Sequence, residues 1–364
     1  MPEVPDAVCG TVAGGGQRGG GGWLRTIRVP YLEGSYVFDI WLPLVGGLLL
    51  LILGGEFLVR GAVQVAERFG VSPLVIGLTL VGFGTSAPEL VTSVRAALAG
   101  APGIAYGNIT GSNIANILLI AGLSALIAPI AVQSAALRRD GGVMLAATAV
   151  FALLAATVPV TRAAGLAFVL VLAAYVWFAI RQERTAPAAE HGALFDKAAA
   201  LEGVDPALTA ATPVRLPLWR PLGTALGGLA LVIGGGGLLV DGAVELAHMM
   251  QVSETVIGLT IVALGTSAPE LATSVAAALR RQGEMAFGNI IGSNIYNILG
   301  IGGATALIAP SEVPERIAGF DNVVMLGVTL GFLTLAWTGL RVSRREGAAL
   351  LVGYAAYVWW LWPA

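Results

Sequence analysis

Reactive and metal-seeking side chains are almost missing from this chain of 364 residues. It has one cysteine, Cys9, and two histidines, His191 and His248. That excludes a disulfide framework and a zinc- or copper-type centre, which need several thiolate or imidazole ligands. Charge is also scarce, at 12% of residues against roughly 25% in soluble domains. The net charge of −2 leaves no electrostatic footprint for nucleic acid. Among the 20 basic residues only one, Lys197, is a lysine.

Apolar sequence fills the space instead, with 56% hydrophobic residues and a mean hydropathy of +0.83. From Trp41 onward, runs of about 20 apolar residues recur, each long enough to cross a bilayer. We read ten spans: Trp41–Ala66, Ser72–Leu98, Gly103–Ile130, Gly141–Val160, Ala163–Ile180, Pro221–Met249, Thr255–Leu279, Met285–Ala309, Asn322–Leu340 and Ala348–Trp362. The most polar connection, Arg181–Arg220, separates two sets of five. Residues 1–38 are rich in Gly, lack a signal-peptide pattern and read as a disordered tail. The domains expected are a first five-helix repeat at 39–181, a linker at 182–220 and a second repeat at 221–364.

Five is an odd number, so the second set enters the membrane from the side opposite to the first. Two similar halves in opposite orientation make an inverted repeat, a plan common among secondary transporters. The predicted fold class is therefore an all-α integral membrane protein of ten transmembrane helices in two inverted five-helix repeats. The arginine distribution puts both termini outside the cytoplasm and the 182–220 linker inside. The partner of such a chain is the lipid bilayer, and a monomer is the expected state.

The similarity of the halves is concentrated in two blocks. GTSAPEL occurs at Gly84–Leu90 and again at Gly265–Leu271, 181 positions later, within 23-residue segments (76–98 and 257–279) that are identical at 18 positions. The second block, Gly107–Ile120, recurs as Gly288–Ile301 at the same offset with 11 of 14 positions identical. These blocks lie in the spans at 103–130 and 285–309.

Glu89 and Glu270 are the informative residues, because an ionisable group deep in a span is costly and usually functional. Each follows a proline, Pro88 or Pro269, which removes an N–H and clashes with the carbonyl four residues earlier. The helices are predicted to open over Gly84–Pro88 and Gly265–Pro269, and carbonyls freed at membrane depth must be satisfied by something. Thr85, Ser86, Thr266 and Ser267 lie within a turn of the glutamates. In the next span Ser112 and Asn116 share a helix face, as do Ser293 and Asn297. Carboxylate, carbonyl, amide and hydroxyl oxygens suit hard cations such as Ca²⁺, Na⁺ or Mg²⁺. Gly107, Gly111, Gly288 and Gly292 read as close-packing positions. Asn108, Asn113, Asn289 and Asn294 are left open between that role and interhelical hydrogen bonding. Asp140 and Asp321, each just before a span, read as helix N-caps, and Glu56 with Arg60 as an i,i+4 ion pair.

The paired GTSAPE and GNxxGSNxxN blocks resemble the two α-repeats of the sodium/calcium exchanger family, in the cation/Ca²⁺ antiporter superfamily, of the prokaryotic type. The resemblance covers about Trp41 to Trp362. It implies exchange of Ca²⁺ for Na⁺ by alternating access, with Ca²⁺ and Na⁺ as transported ions and no covalent cofactor. Glu89 and Glu270 would be the shared carboxylate ligands, and Thr85 and Thr266 would add carbonyl or hydroxyl oxygens. Ser86, Ser112, Ser267 and Ser293, with the carbonyls of Gly82 and Ala263, would line outer Na⁺ sites, while Asn116 and Asn297 would face the centre. In several family members one of those two asparagine positions is an aspartate. Here both are Asn, so the site carries two carboxylates, which balance one Ca²⁺ or two Na⁺. The missing aspartate at Asn297 argues against K⁺ cotransport, and the linker is too short for Ca²⁺-sensing domains.

Three other readings compete. Proton coupling keeps the fold but conflicts with the Thr-Ser and Ser…Asn oxygens, which look like Na⁺ ligands. Channels usually take their symmetry from several subunits around a pore, whereas here it lies within one chain. An enzyme is disfavoured because the motifs contain no nucleophile–base pair.

Overall fold

The computed structural model describes residues 37–69, 71, 73–76, 79–80, 82–183, 192–204 and 217–362. The tail reading for 1–38 and both ends of the 182–220 linker fall almost wholly outside them. Apart from one two-residue antiparallel pairing, Ile130–Ala131 with Arg341–Val342, the described chain forms helices. Seven of these are long and apolar enough to cross a membrane. The pair Glu254–Thr266 and Ala268–Leu279, bent by 50°, makes an eighth crossing if counted as one span.

The two long helices that carry the second sequence block form the centre. In Pro102–Ile127 and Gly283–Ile308, 83% and 89% of the most apolar window is buried, against 28–39% in the other candidate spans. Those outer helices turn Leu, Val and Trp side chains outward, as a bilayer solvent demands, with Trp177, Trp219 and Trp337 among the most exposed. Both central helices contain a π-helical turn, Asn116–Ile120 and Tyr296–Gly302. Such turns widen a helix locally and are frequent at functional sites.

Glycine spacing packs the first long helix, Leu42–Arg68, along Trp219–Met250. Gly47, Gly54 and Gly61 recur every seven residues, as do Gly228, Gly235 and Gly242. They interlock: a methyl on Gly235 would sit 2.8 Å from the Gly47 carbonyl, and one on Gly54 2.8 Å from the Val232 amide. The two helices run antiparallel, since Gly242 faces Ile40 and Leu44 while Gly61 faces Pro221 and Ala225. Lipid supplies no hydrophobic drive between helices, so close backbone approach at small residues carries the association. Gly46, Gly223 and Gly227 have open space around them and do not serve this seam.

Two expectations are corrected. Asp140 is not an N-cap; it lies inside Ser134–Thr157 and is fully buried. Its carboxylate accepts from Tyr175 Oη at 3.0 Å and from the Ala193 amide at 2.7 Å, and it pairs with Arg139 at 2.6 Å. Asp321 directly precedes the helix Asn322–Trp337 but makes no capping bond, because a π-turn leads continuously into that helix. It accepts from Tyr357 Oη at 3.0 Å and pairs with Arg316 at 3.7 Å. Each aspartate ties its helix to a tyrosine 35 or 36 residues later. The Glu56–Arg60 pair does form.

The polar connection also holds structure that its composition did not announce. Ala193–Val204 is a helix, and Ala193, Leu194, Lys197 and Ala198 are buried. The carboxylate of Asp140 holds one of its free first-turn N–H groups.

Neighbouring glycines give a direct test of the seam. Gly228→Ala should lower the melting temperature of purified protein by several degrees, because the methyl meets the Leu58 backbone and overpacking costs about 1–3 kcal/mol. Gly227→Ala, with nothing within 4 Å, should match or exceed the wild type. Equal melting of the two variants would contradict this packing.

Candidate cation-binding site

Both proline-bearing helices open where the sequence places the break. Gly82–Gly84 ends in a turn at Thr85 and Ser86, and a new helix starts at Ala87 with Pro88 in its first turn. In the second copy, Ala263–Thr266 ends at Ser267 and Ala268–Leu279 begins. Proline is tolerated at that position because the N–H it lacks would have had no partner. The result is that Glu89 and Glu270 sit in the first turn of a helix, where the positive end of the helix dipole favours a carboxylate.

The two motifs then cross. Ser86 Oγ donates to Glu270 Oε1 at 3.0 Å, and Ser267 Oγ donates to Glu89 Oε1 at 3.1 Å. Each motif's serine thus holds the other motif's glutamate. Both carboxylates are 1% exposed, and the second oxygen of each, Oε2, has no hydrogen-bond partner. Asn116 and Asn297 are equally buried, and neither the oxygen nor the nitrogen of either amide has a partner. Buried polar atoms normally find one. Here six lie unpaired at the centre of the fold, and four of them are oxygens.

The remaining residues form the wall. Thr266 Oγ1 lies 2.9 Å from Asn108 Oδ1 and 3.3 Å from the Ala263 carbonyl. Ser112 Oγ reaches that same carbonyl at 3.4 Å, and Ser293 Oγ lies 3.4 Å from Glu270 Oε1. Gly82 is buried at the start of its short helix, and Thr85 is half-buried in the turn after it.

The asparagines left open take clear roles. Asn108 Nδ2 donates to the Glu89 carbonyl at 3.2 Å and to Ser93 Oγ at 3.0 Å. Asn289 Nδ2 does the same to the Glu270 carbonyl at 3.1 Å and to Ser274 Oγ at 2.8 Å. These amides brace the glutamate backbones against the central helices. Asn113 and Asn294 donate back to carbonyls four residues earlier in their own helices.

One residue at the site had no signal in the motifs. Lys197, on the linker helix, is fully buried. Its Nζ donates to Ser293 Oγ and, at 3.1 Å, to Thr85 Oγ1, and lies 3.8 Å from Glu270 Oε1. Burial pulls the ammonium below the ordinary lysine range, while Glu270 and Glu89 pull it back up. Its being the chain's single lysine was the one available hint.

Known proteins match this chain over most of its length. A family model described as "Sodium/calcium exchanger protein" matches residues 40–181 and 221–362. The putative antiporter CaxA of Alkalimonas amylolytica is 39% identical over 324 residues, covering 87% of this chain and 97% of that one. The sodium/calcium exchanger MaX1 of Methanosarcina acetivorans is 35% identical over 339 residues, covering 87% and 97%. Among solved structures, the sodium-calcium exchanger NCX_Mj soaked with Na⁺ and Ca²⁺ superposes with a TM-score of 0.56 at 31% identity, covering 90% of this chain and 99% of that one. The chain belongs to the sodium/calcium exchanger protein family and is a multi-pass membrane protein of cation/Ca²⁺ antiport.

Proposed function

We propose that this protein exchanges Ca²⁺ for Na⁺ at a single shared site between two inverted five-helix repeats. The observation that carries the proposal is the crossed pair of buried glutamates with their unpaired oxygens, in a fold that also buries the unpaired amides of Asn116 and Asn297. Two carboxylates in a low-dielectric site repel each other and are costly to bury unneutralised. One Ca²⁺ or two Na⁺ balance them, and neither set can bind while the other is present. Occupancy is therefore mutually exclusive, as obligatory exchange requires.

In this reading Glu89 and Glu270 are ligands to every transported cation. Thr85, Thr266 and the central amides complete the Ca²⁺ position. Ser86, Ser112, Ser267 and Ser293, with the carbonyls of Gly82 and Ala263, form the flanking Na⁺ positions. Ten spans, with the termini outside and the 182–220 linker in the cytoplasm, give the inverted arrangement. Alternating access follows if the antiparallel pair of long helices, Leu42–Arg68 and Trp219–Met250, slides across the rest once the carboxylates are neutralised. Its glycine seam lies between the two helices and would hold them together as one moving body.

Proteoliposomes loaded with Na⁺ and diluted into Na⁺-free buffer should accumulate radiolabelled Ca²⁺, whereas choline-loaded and K⁺-loaded vesicles should not. Uptake that follows an imposed pH gradient and ignores Na⁺ would replace Na⁺ by H⁺ as the coupling ion. Glu89→Gln and Glu270→Gln should each abolish uptake while inserting normally; near-normal exchange by either would sink the site assignment. Ser86→Ala and Ser267→Ala, which remove one hydrogen bond to a charged group worth about 1.5–3 kcal/mol, should keep exchange but weaken apparent cation affinity by about tenfold or more. Wild-type affinity in both would show that the crossed bonds do not hold the carboxylates in place.

A further inference from the structure

The linker helix and its lysine lie outside the reading above, which assigns them no part in exchange. The GNxxG glycines expose an asymmetry between the halves. In the first half, Gly107 and Gly111 admit the backbone of the other half's broken helix: a methyl on either would lie 3.0 Å from Gly258 or 2.5 Å from the Leu259 carbonyl. In the second half, the matching Gly288 and Gly292 admit the linker helix instead. A methyl on Gly288 would strike Asp196 Cβ and lie 2.8 Å from the Ala193 carbonyl, and one on Gly292 would lie 2.9 Å from Lys197 Cδ. Thr79 and Leu80, the first-half counterparts of Thr260 and Ile261, line an apolar cavity of about 760 Å³ with Phe83 and Tyr296. A segment from outside the repeats thus occupies a seat that, in the other copy, belongs to a repeat helix.

What the segment delivers there is a cation. An ammonium carries three donors, and here its neighbours are Ser293, Thr85 and Glu270, all within the proposed ligand set. Its face toward Tyr296, with Nζ 5.9 Å from the ring centre, adds a weaker attraction. Burying a lone ammonium is expensive unless it is paired, so the position is selected by the carboxylate.

We propose that Lys197 is a tethered cation that occupies part of the transport site, so that the linker helix holds the exchanger off until an incoming ion displaces the ammonium and the helix withdraws. The inference rests on the site reading given above. Charge makes it selective. Two carboxylates and one ammonium leave a single negative charge, which admits one Na⁺ but would leave bound Ca²⁺ with a net positive charge in a dry site. The lysine therefore opposes Ca²⁺ more than Na⁺.

Equilibrium binding of ⁴⁵Ca²⁺ to the full-length protein in nanodiscs tests this with Lys197→Ala, Lys197→Arg and Glu270→Gln. Lys197→Ala should tighten Ca²⁺ binding by about tenfold or more and Na⁺ competition by less, while Lys197→Arg, which keeps the charge, should not tighten it. Unchanged or weaker Ca²⁺ binding in Lys197→Ala, with Glu270→Gln abolishing it, overturns the tethered cation and spares the site. Binding that survives Glu270→Gln removes the site reading and the inference with it. A second measurement needs no variant. Lys197 is the only lysine, so an amine-acylating reagent followed by peptide mass spectrometry reports its exposure in the wild type. Saturating Ca²⁺ should speed its modification several-fold over choline; equal protection with and without Ca²⁺ contradicts displacement.

Discussion

The crossed hydrogen bonds Ser86–Glu270 and Ser267–Glu89 are the constraint around which the rest of the molecule is arranged. Each joins a residue of one sequence block to a residue of the other, so neither half can complete its own carboxylate environment. The bonds form only because both helices break just before their prolines. The break puts Ser86 and Ser267 in non-helical turns and places the glutamates at fresh helix N-termini. Asn108 and Asn289 then fix the glutamate backbones to the central helices. Around this centre the outer helices expose apolar side chains, and two of them, Leu42–Arg68 and Trp219–Met250, are joined by the glycine seam.

Burial gives the centre its chemistry. In a low-dielectric interior a carboxylate with one unpaired oxygen is a strong demand for positive charge. Two such carboxylates, with unpaired amide oxygens also buried in the fold, would make a binding site whose empty form is unfavourable. An exchanger needs that property, because an empty site that could reorient freely would leak. The ammonium of Lys197 beside Glu270 answers the same demand with a side chain instead of an ion.

The candidate site was legible in the sequence because its residues are written twice. An offset of 181 singled out the glutamates, the hydroxyls and the central asparagines, and proline chemistry located the helix breaks. Apolar length found seven of the ten expected spans; of the others, Thr255–Leu279 is a bent pair, Ser72–Leu98 is described only in part, and Ala348–Trp362 coincides with Arg344–Leu361, which is not among the helices long and apolar enough to cross. The sequence failed where duplication gave no help. Asp140 and Asp321 match at the repeat offset and stand near predicted helix starts, so capping was the natural reading. Their partners, Tyr175 and Tyr357, each lie on the next helix, 35 and 36 residues on, and leave no local trace. The linker helix was hidden for the same reason: it has no counterpart in the other half, its composition resembles a polar loop, and its stability comes from contacts with Gly288, Gly292 and Asp140 that only the tertiary fold creates.

The account's central claim is that Glu89 and Glu270 form one cation site, and a crystal structure of protein soaked in Sr²⁺, read by anomalous scattering, tests it most directly. The account predicts one dominant peak between the two carboxylates, in contact with both unpaired Oε2 atoms and lost when Na⁺ is raised. A peak held by one glutamate alone, or one unaffected by Na⁺, would contradict it.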